Sequence, residues 1–202
     1  MLDRHLRPYI DPPLNRMGGV IARTGISANL VTLIGLALGL AAAATVVAEA
    51  FAVAMLLILA SRLADGLDGA VARVRGVSDF GGYLDITCDY VFYAAIPLAF
   101  VVLDPTAHGV AGAFLLLSFY VNAGSFLGFS VLAEKRRMQS DAHGLKTLYF
   151  TGGLLEGTET ILFFLLLCLF PDWFAPLAWG FGMLCLITAV SRILLAAKVF
   201  RD

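Results

Sequence analysis

Six apolar runs, at residues 30–47, 51–64, 84–102, 110–132, 148–170 and 173–197, constrain this chain more than any other feature. Most approach or exceed the roughly 20 residues that a helix needs to cross about 30 Å of hydrocarbon. The second run is short unless its helix continues through Asp65 toward Arg73. Apolar residues make up 60% of the 202 and charged residues 14%. Ordinary soluble domains have about 45–50% and about 25%, so a large soluble core is excluded and a membrane bundle is expected.

Charge placement sets the expected orientation. Arg4, Arg7, Arg16 and Arg23 precede the first run, Arg73 and Arg75 follow the second, Lys135, Arg136, Arg137 and Lys146 lie between the fourth and fifth, and Lys198 and Arg201 end the chain. The other connections offer Glu49, Asp104 and Asp172. Positive charge is retained on the cytoplasmic side, which places both termini there. The expectation is an all-α polytopic protein with six transmembrane helices in a single domain, 1–202: an interfacial segment at 1–25, then a six-helix bundle at 26–202. Residues before the first run lack a small-residue cleavage site, so no removable signal peptide is expected. Leu2, Leu6, Ile10, Leu14 and Met17 share one helical face among arginines, which predicts an amphipathic helix in the membrane interface. Pro8, Pro12 and Pro13 predict that this helix is interrupted. It reads either as a topology anchor or as a flap over the site described next.

Residues 65–89, DGLDGAVARVRGVSDFGGYLDITCD, place Asp65, Asp68, Asp85 and Asp89 at the edges of two apolar runs. An acid near hydrocarbon costs roughly 2.5–3.5 kcal/mol, so such a cluster must face a polar cavity and meet positive charge. Asp65 and Asp68 are three apart and Asp85 and Asp89 four apart, so each pair shares a helical face. A turn over 74–80, with Gly76 and Ser78, folds the pairs together. An all-carboxylate cage suits Mg2+ or Mn2+, because zinc asks for histidine or cysteine. Gly69, Gly81 and Gly82 leave room for a ligand against the backbone, and Arg73 can pair with a phosphate.

Asp65, Asp68, Gly69, Ala72, Arg73, Gly81, Asp85 and Asp89 together resemble the D-x-x-D-G-x-x-A-R, spacer, G-x-x-x-D-x-x-x-D signature of the CDP-alcohol phosphotransferases. All eight positions are filled, with a spacer of seven residues that is slightly shorter than usual. The MLDRHL start and the EGTETI segment resemble a bacterial inner-membrane branch of that family. The resemblance implies two divalent cations, Mg2+ or Mn2+, held by Asp65, Asp68, Asp85 and Asp89, with Asp89 also the general base. It implies a nucleotide site at Asn29, Thr32, Asp68, Gly69, Ala72, Arg73 and Gly81; for Asn29 and Thr32 ordinary helix capping is the other reading. The implied reaction moves a phosphatidyl group from CDP-diacylglycerol to a polar alcohol and releases CMP, as in phospholipid biosynthesis. The alternatives are a CDP-alcohol donor with a diacylglycerol acceptor, an intramembrane prenyltransferase, or a cation transporter. The expected setting is a bacterial inner membrane, with a cytoplasmic site, a homodimer and no nucleic acid.

The acceptor site is the least specified. Lys135, Arg137 and Arg192 can bind a phosphorylated acceptor, although Lys135 and Arg137 also serve as topology signals. Glu156 and Glu159 share a helical face about ten residues inside the fifth run; they either bind acceptor hydroxyls or pair internally with Arg62 or Arg192. Asn122, Ser125 and Ser191 read as packing residues. The three histidines are scattered, and the three cysteines show neither a disulfide pattern nor a thiol catalyst. Gly35 with Gly39, and Gly124 with Gly128, permit close helix contact either within the bundle or in a dimer.

Overall fold

The computed structural model describes residues 2–136, 155 and 157–201, with side chains from residue 8 onward. Every extended element among these residues is helical: α1 (Leu2–Arg23), α2 (Ala28–Val47), α3 (Phe51–Arg75), α4 (Asp79–Leu103), α5 (Pro105–Lys135), α6 (Gly157–Leu169) and α7 (Phe174–Val199), with one 3-10 turn at Pro171–Trp173. Four segments have the length and hydropathy to cross a membrane: α2, α4, α5 and Pro171–Val199. Their outward surfaces carry unpartnered apolar side chains such as Leu33, Leu98, Val110, Leu117 and Ile193. A surface of that kind belongs in hydrocarbon, where a helix satisfies its own backbone. The molecule is therefore an integral membrane protein.

Helix α3 carries Arg62, Asp65, Asp68, Arg73 and Arg75 within its 25 residues, so it is not a purely apolar span. It runs unbroken from Phe51 to Arg75, so the second apolar run does continue through its acids. α6 is a shorter apolar helix of 13 residues. Leu155 is outside it, so Glu159 lies in its first turn rather than about ten residues within a helix. A carboxylate there meets the partial positive charge of a helix N-terminus. Arg137, Lys146 and Glu156 lie outside the described residues.

The expected interruption of α1 is corrected: α1 is continuous, with Pro8, Pro12 and Pro13 inside it. All three prolines are exposed, which lets water reach the carbonyls that lose their N–H partners. α1 lies against α3, with Leu14 over Gly66, and Leu14 and Ile21 packed on a small cluster of Val31, Ala64, Leu67 and Val71. The larger apolar core sits toward the other end of α3 and α4. Ile58, Phe92, Ile96, Phe100, Leu115, Phe164 and Phe174 are fully buried there. Phe100 stacks on Phe174 at 5.1 Å, and Phe92 meets Phe164 edge-on at 5.8 Å. Gly35 and Gly39 serve this packing: a Cβ at Gly35 would touch Ala64 and Ser61, and one at Gly39 would strike the Phe92 ring. Among the described residues nothing lies within 4 Å of a Cβ placed at Gly124 or Gly128.

Candidate active site

The α3–α4 connection brings the acids together. α3 ends at Gly76, whose φ of +108° disfavours any residue with a side chain, and Ser78 caps α4 by accepting the Gly81 N–H at 3.0 Å. The reversal thus takes only residues 76–78, tighter than the expected 74–80. Arg75 donates to the Ile26 carbonyl at 2.9 Å, which ties the α3 end to the residues leading into α2.

Across this hairpin, Asp65, Asp68 and Asp85 each offer a carboxylate oxygen within 4.8 Å of the others. Three hard oxygen donors at that separation fit a divalent cation of the magnesium or manganese kind. Asp68 is buried and accepts a hydrogen bond from the Thr32 hydroxyl at 2.5 Å. Thr32 therefore contacts a member of the acidic cluster from α2.

Asp89 is placed differently. Its Oδ1 accepts from Arg62 Nη1 at 2.6 Å, and the same nitrogen lies 3.5 Å from Asp65 Oδ1. Arg62 is held on further sides: Nη2 donates to Ser61 Oγ at 3.2 Å, and the guanidinium lies 3.9 Å from the centre of the Phe92 ring. Ser61 in turn donates to the Gly35 carbonyl at 2.7 Å. Arg62, expected as an internal partner for Glu156 or Glu159, is a counter-ion of the acidic site. Its position three residues before Asp65 puts it on the same helical face, which was the available signal.

Beside the cluster opens a cavity of about 440 Å³. Its walls include all seven residues expected at the nucleotide site: Asn29, Thr32, Asp68, Gly69, Ala72, Arg73 and Gly81. Asp85 lines it as well, so the cavity and the acidic cluster share Asp68 and Asp85. Among the described residues no neighbour requires Gly69 or Gly82 to be bare. A Cβ at Gly69 would meet only Arg73 Nη1, at an ordinary 3.5 Å, and one at Gly82 would meet nothing within 4 Å. Arg73 is aimed by α1, since Asn15 Oδ1 accepts from its Nε at 3.1 Å and its Nη2 at 2.8 Å. The amphipathic helix thus contacts a residue of the cavity wall.

Arg192, buried in α7, gives through Nη1 to the Asn122 carbonyl and Oδ1, each at 3.0 Å, and to Ser125 Oγ at 2.7 Å. Asn122 and Ser125 are therefore its cradle rather than packing residues alone. Among the described residues Arg192 Nε has no hydrogen-bond partner. Lys135 is exposed in the last turn of α5. Arg136 donates to the Phe200 carbonyl at 3.0 Å and so links the ends of α5 and α7. Cys88, Cys168 and Cys185 are buried free thiols on three different helices.

The family profile of the CDP-alcohol phosphatidyltransferases matches residues 25–196. The chain belongs to that family. It is 45% identical over 193 residues to the inner membrane protein YnjF of Escherichia coli, covering 96% of this chain and 94% of that one. An archaetidylinositol phosphate synthase of Pyrococcus horikoshii is 38% identical over 92 residues, 45% of this chain and 49% of its own. The fold matches the Mycobacterium tuberculosis phosphatidylinositol phosphate synthase crystallised with CDP-DAG, with a TM-score of 0.72 at 22% identity over 92% of this chain and 94% of that one. A second crystal structure of that synthase, with manganese and citrate, superposes with a TM-score of 0.70 at 22% identity, over 90% and 88% of the two chains. This chain is thus a membrane-embedded, divalent-metal-dependent transferase of phospholipid biosynthesis, and the transporter and prenyltransferase alternatives are set aside.

Proposed function

We propose that the enzyme transfers a phosphatidyl group from CDP-diacylglycerol to a small polar alcohol and releases CMP. The observation that carries this reading is the sharing of Asp68 and Asp85 between the acidic cluster and the 440 Å³ cavity, because a pyrophosphate must meet metal and nucleotide pocket at once. Asn29, Thr32, Gly69, Ala72, Arg73 and Gly81 receive the cytidine diphosphate. Arg73 meets a phosphate, while Gly69 leaves the backbone open to the ligand. Asp65, Asp68 and Asp85, with Asp89 beside them, hold two divalent cations, which when bound neutralise the pyrophosphate and the leaving CMP. Asp89 takes the proton of the acceptor hydroxyl as its oxygen bonds to the lipid-bearing phosphorus and the bond to CMP breaks.

The acceptor reads as a phosphorylated or otherwise anionic alcohol. Arg192 is a buried arginine of α7, and an ionisable side chain inside a membrane bundle marks a functional site by default. Lys135 and Arg137 are the candidate helpers, and Glu156 and Glu159 the candidate contacts to acceptor hydroxyls. Two similar proteins, an archaetidylinositol phosphate synthase and a phosphatidylinositol phosphate synthase, support an acceptor of this kind. We place the chain as one domain with six spans in a bacterial inner membrane, with both termini and the site cytoplasmic, and as a homodimer.

The test is release of CMP from CDP-diacylglycerol by the purified protein with Mn2+ across a panel of phosphorylated and neutral alcohols, with the lipid product weighed by mass spectrometry. A phosphatidyl product with an anionic alcohol is expected. Turnover only with a CDP-alcohol and diacylglycerol would reverse the assignment of donor and acceptor.

A further inference from the structure

Arg62 lies outside the eight-residue signature, yet among the described residues it makes the shortest ion pair of the site, 2.6 Å to Asp89 Oδ1. Further contacts fix it: Ser61 Oγ at 3.2 Å, the Phe92 ring at 3.9 Å, the Tyr93 ring at 5.8 Å and Asp65 Oδ1 at 3.5 Å. Phe92 is fully buried in the core and Ser61 is anchored to the Gly35 carbonyl, so the platform beneath the guanidinium is rigid. A cation over an aromatic face gains electrostatic attraction that grows as water is excluded. Arg62 is therefore built into the bundle and is not a surface side chain that swings in by chance.

We propose that Arg62 is a positioning residue for Asp89. It occupies Oδ1 of that carboxylate, leaving the second oxygen as the one able to meet a cation or an acceptor hydroxyl. It also supplies a fixed positive charge among four acids. Asp65, Asp68 and Asp85 then form the strong cation site, while Asp89 is restrained by Arg62 and ligates more weakly, which suits a group that must also take a proton. This inference rests on the proposed role of Asp89 as ligand and base.

The test combines Mn2+ binding, read by electron paramagnetic resonance without substrate, with steady-state kinetics on Arg62→Gln, Arg62→Lys, Asp89→Asn and Arg62→Gln/Asp89→Asn. Partners that orient a metal ligand typically change affinity or activity by about 10- to 100-fold when removed. Arg62→Gln is expected to tighten the weaker Mn2+ site by about tenfold and to lower kcat by at least about tenfold, with the donor KM within about twofold. Arg62→Lys keeps the charge without the forked grip and falls between the two. In the Asp89→Asn background Arg62→Gln should change Mn2+ affinity clearly less than it does in the wild type, leaving only the part carried by its contact with Asp65. Additive effects, or Mn2+ affinity and kcat within about twofold of wild type in Arg62→Gln, overturn the proposal. If Arg62→Gln does not fold, the double variant, which removes both charges, must fold; a double variant that also fails overturns it. Near-normal turnover in Asp89→Asn would instead defeat the underlying reading of Asp89, a result separable from failure at Arg62.

Discussion

Gly69→Ala separates a ligand's demand from the protein's own. Gly69 lies within α3, and its Cβ would touch only Arg73 Nη1 at 3.5 Å, so the protein itself accepts the methyl group. Alanine in a helix interior is better than glycine by about 0.5–1 kcal/mol, which for a chain of this size raises Tm by about 1–4 °C. The same methyl projects into the cavity wall, where crowding a fitted ligand costs about 1–3 kcal/mol, or roughly 5- to 150-fold in donor affinity. Gly39→Ala is the control of opposite sign: its Cβ would lie 2.5 Å from the Phe92 ring, and overpacking there should destabilise the fold by about 1–3 kcal/mol. Thermal unfolding in detergent, with and without CDP-diacylglycerol, reads both quantities. The expected result for Gly69→Ala is a higher Tm alone and a smaller shift with donor. An unchanged donor shift, or a Tm that falls without donor, would refute the claim that Gly69 is bare for a ligand.

Arg192→Ala is expected to raise the acceptor KM at least about tenfold with the donor KM unchanged, since it removes a ground-state contact; rescue of a misfolded Arg192→Ala by a change at Glu159 would favour a structural pair. For topology, a cysteine introduced beside Asp104 should react with an impermeant reagent added outside the cell and one beside Arg137 should not, and the reverse pattern would invert the placement of the site.

Much of the site was legible because its residues lie close in sequence. Asp65, Asp68, Asp85 and Asp89 fall within one helical hairpin, so helical period and a turn signal suffice to bring them together. Asn29 and Thr32 were reachable only through the family resemblance, as they come from α2, and the structure puts both on the cavity wall. Spacing names the face on which a side chain sits but not the helix opposite that face. For this reason neither the pairing of Arg62 with Asp89 nor the cradle of Asn122 and Ser125 around Arg192 was foreseen. The continuity of α1 was missed because the penalty for proline presumes a carbonyl shut off from water, whereas residues 8–13 are exposed. The depth of Glu159 was misjudged because an apolar run does not mark where its helix begins.

The central claim is that the acidic cluster and the adjacent cavity act as one donor site. Equilibrium binding of CDP-diacylglycerol to the purified protein, with Mn2+ and then with excess chelator, tests it most directly when repeated on Asp68→Asn, Asp85→Asn and Asp89→Asn. The account predicts tight binding that chelation abolishes, loss of that binding in Asp68→Asn and Asp85→Asn, and its retention in Asp89→Asn, which should lose turnover instead. Donor binding that is indifferent to chelator and to Asp68→Asn and Asp85→Asn would contradict it.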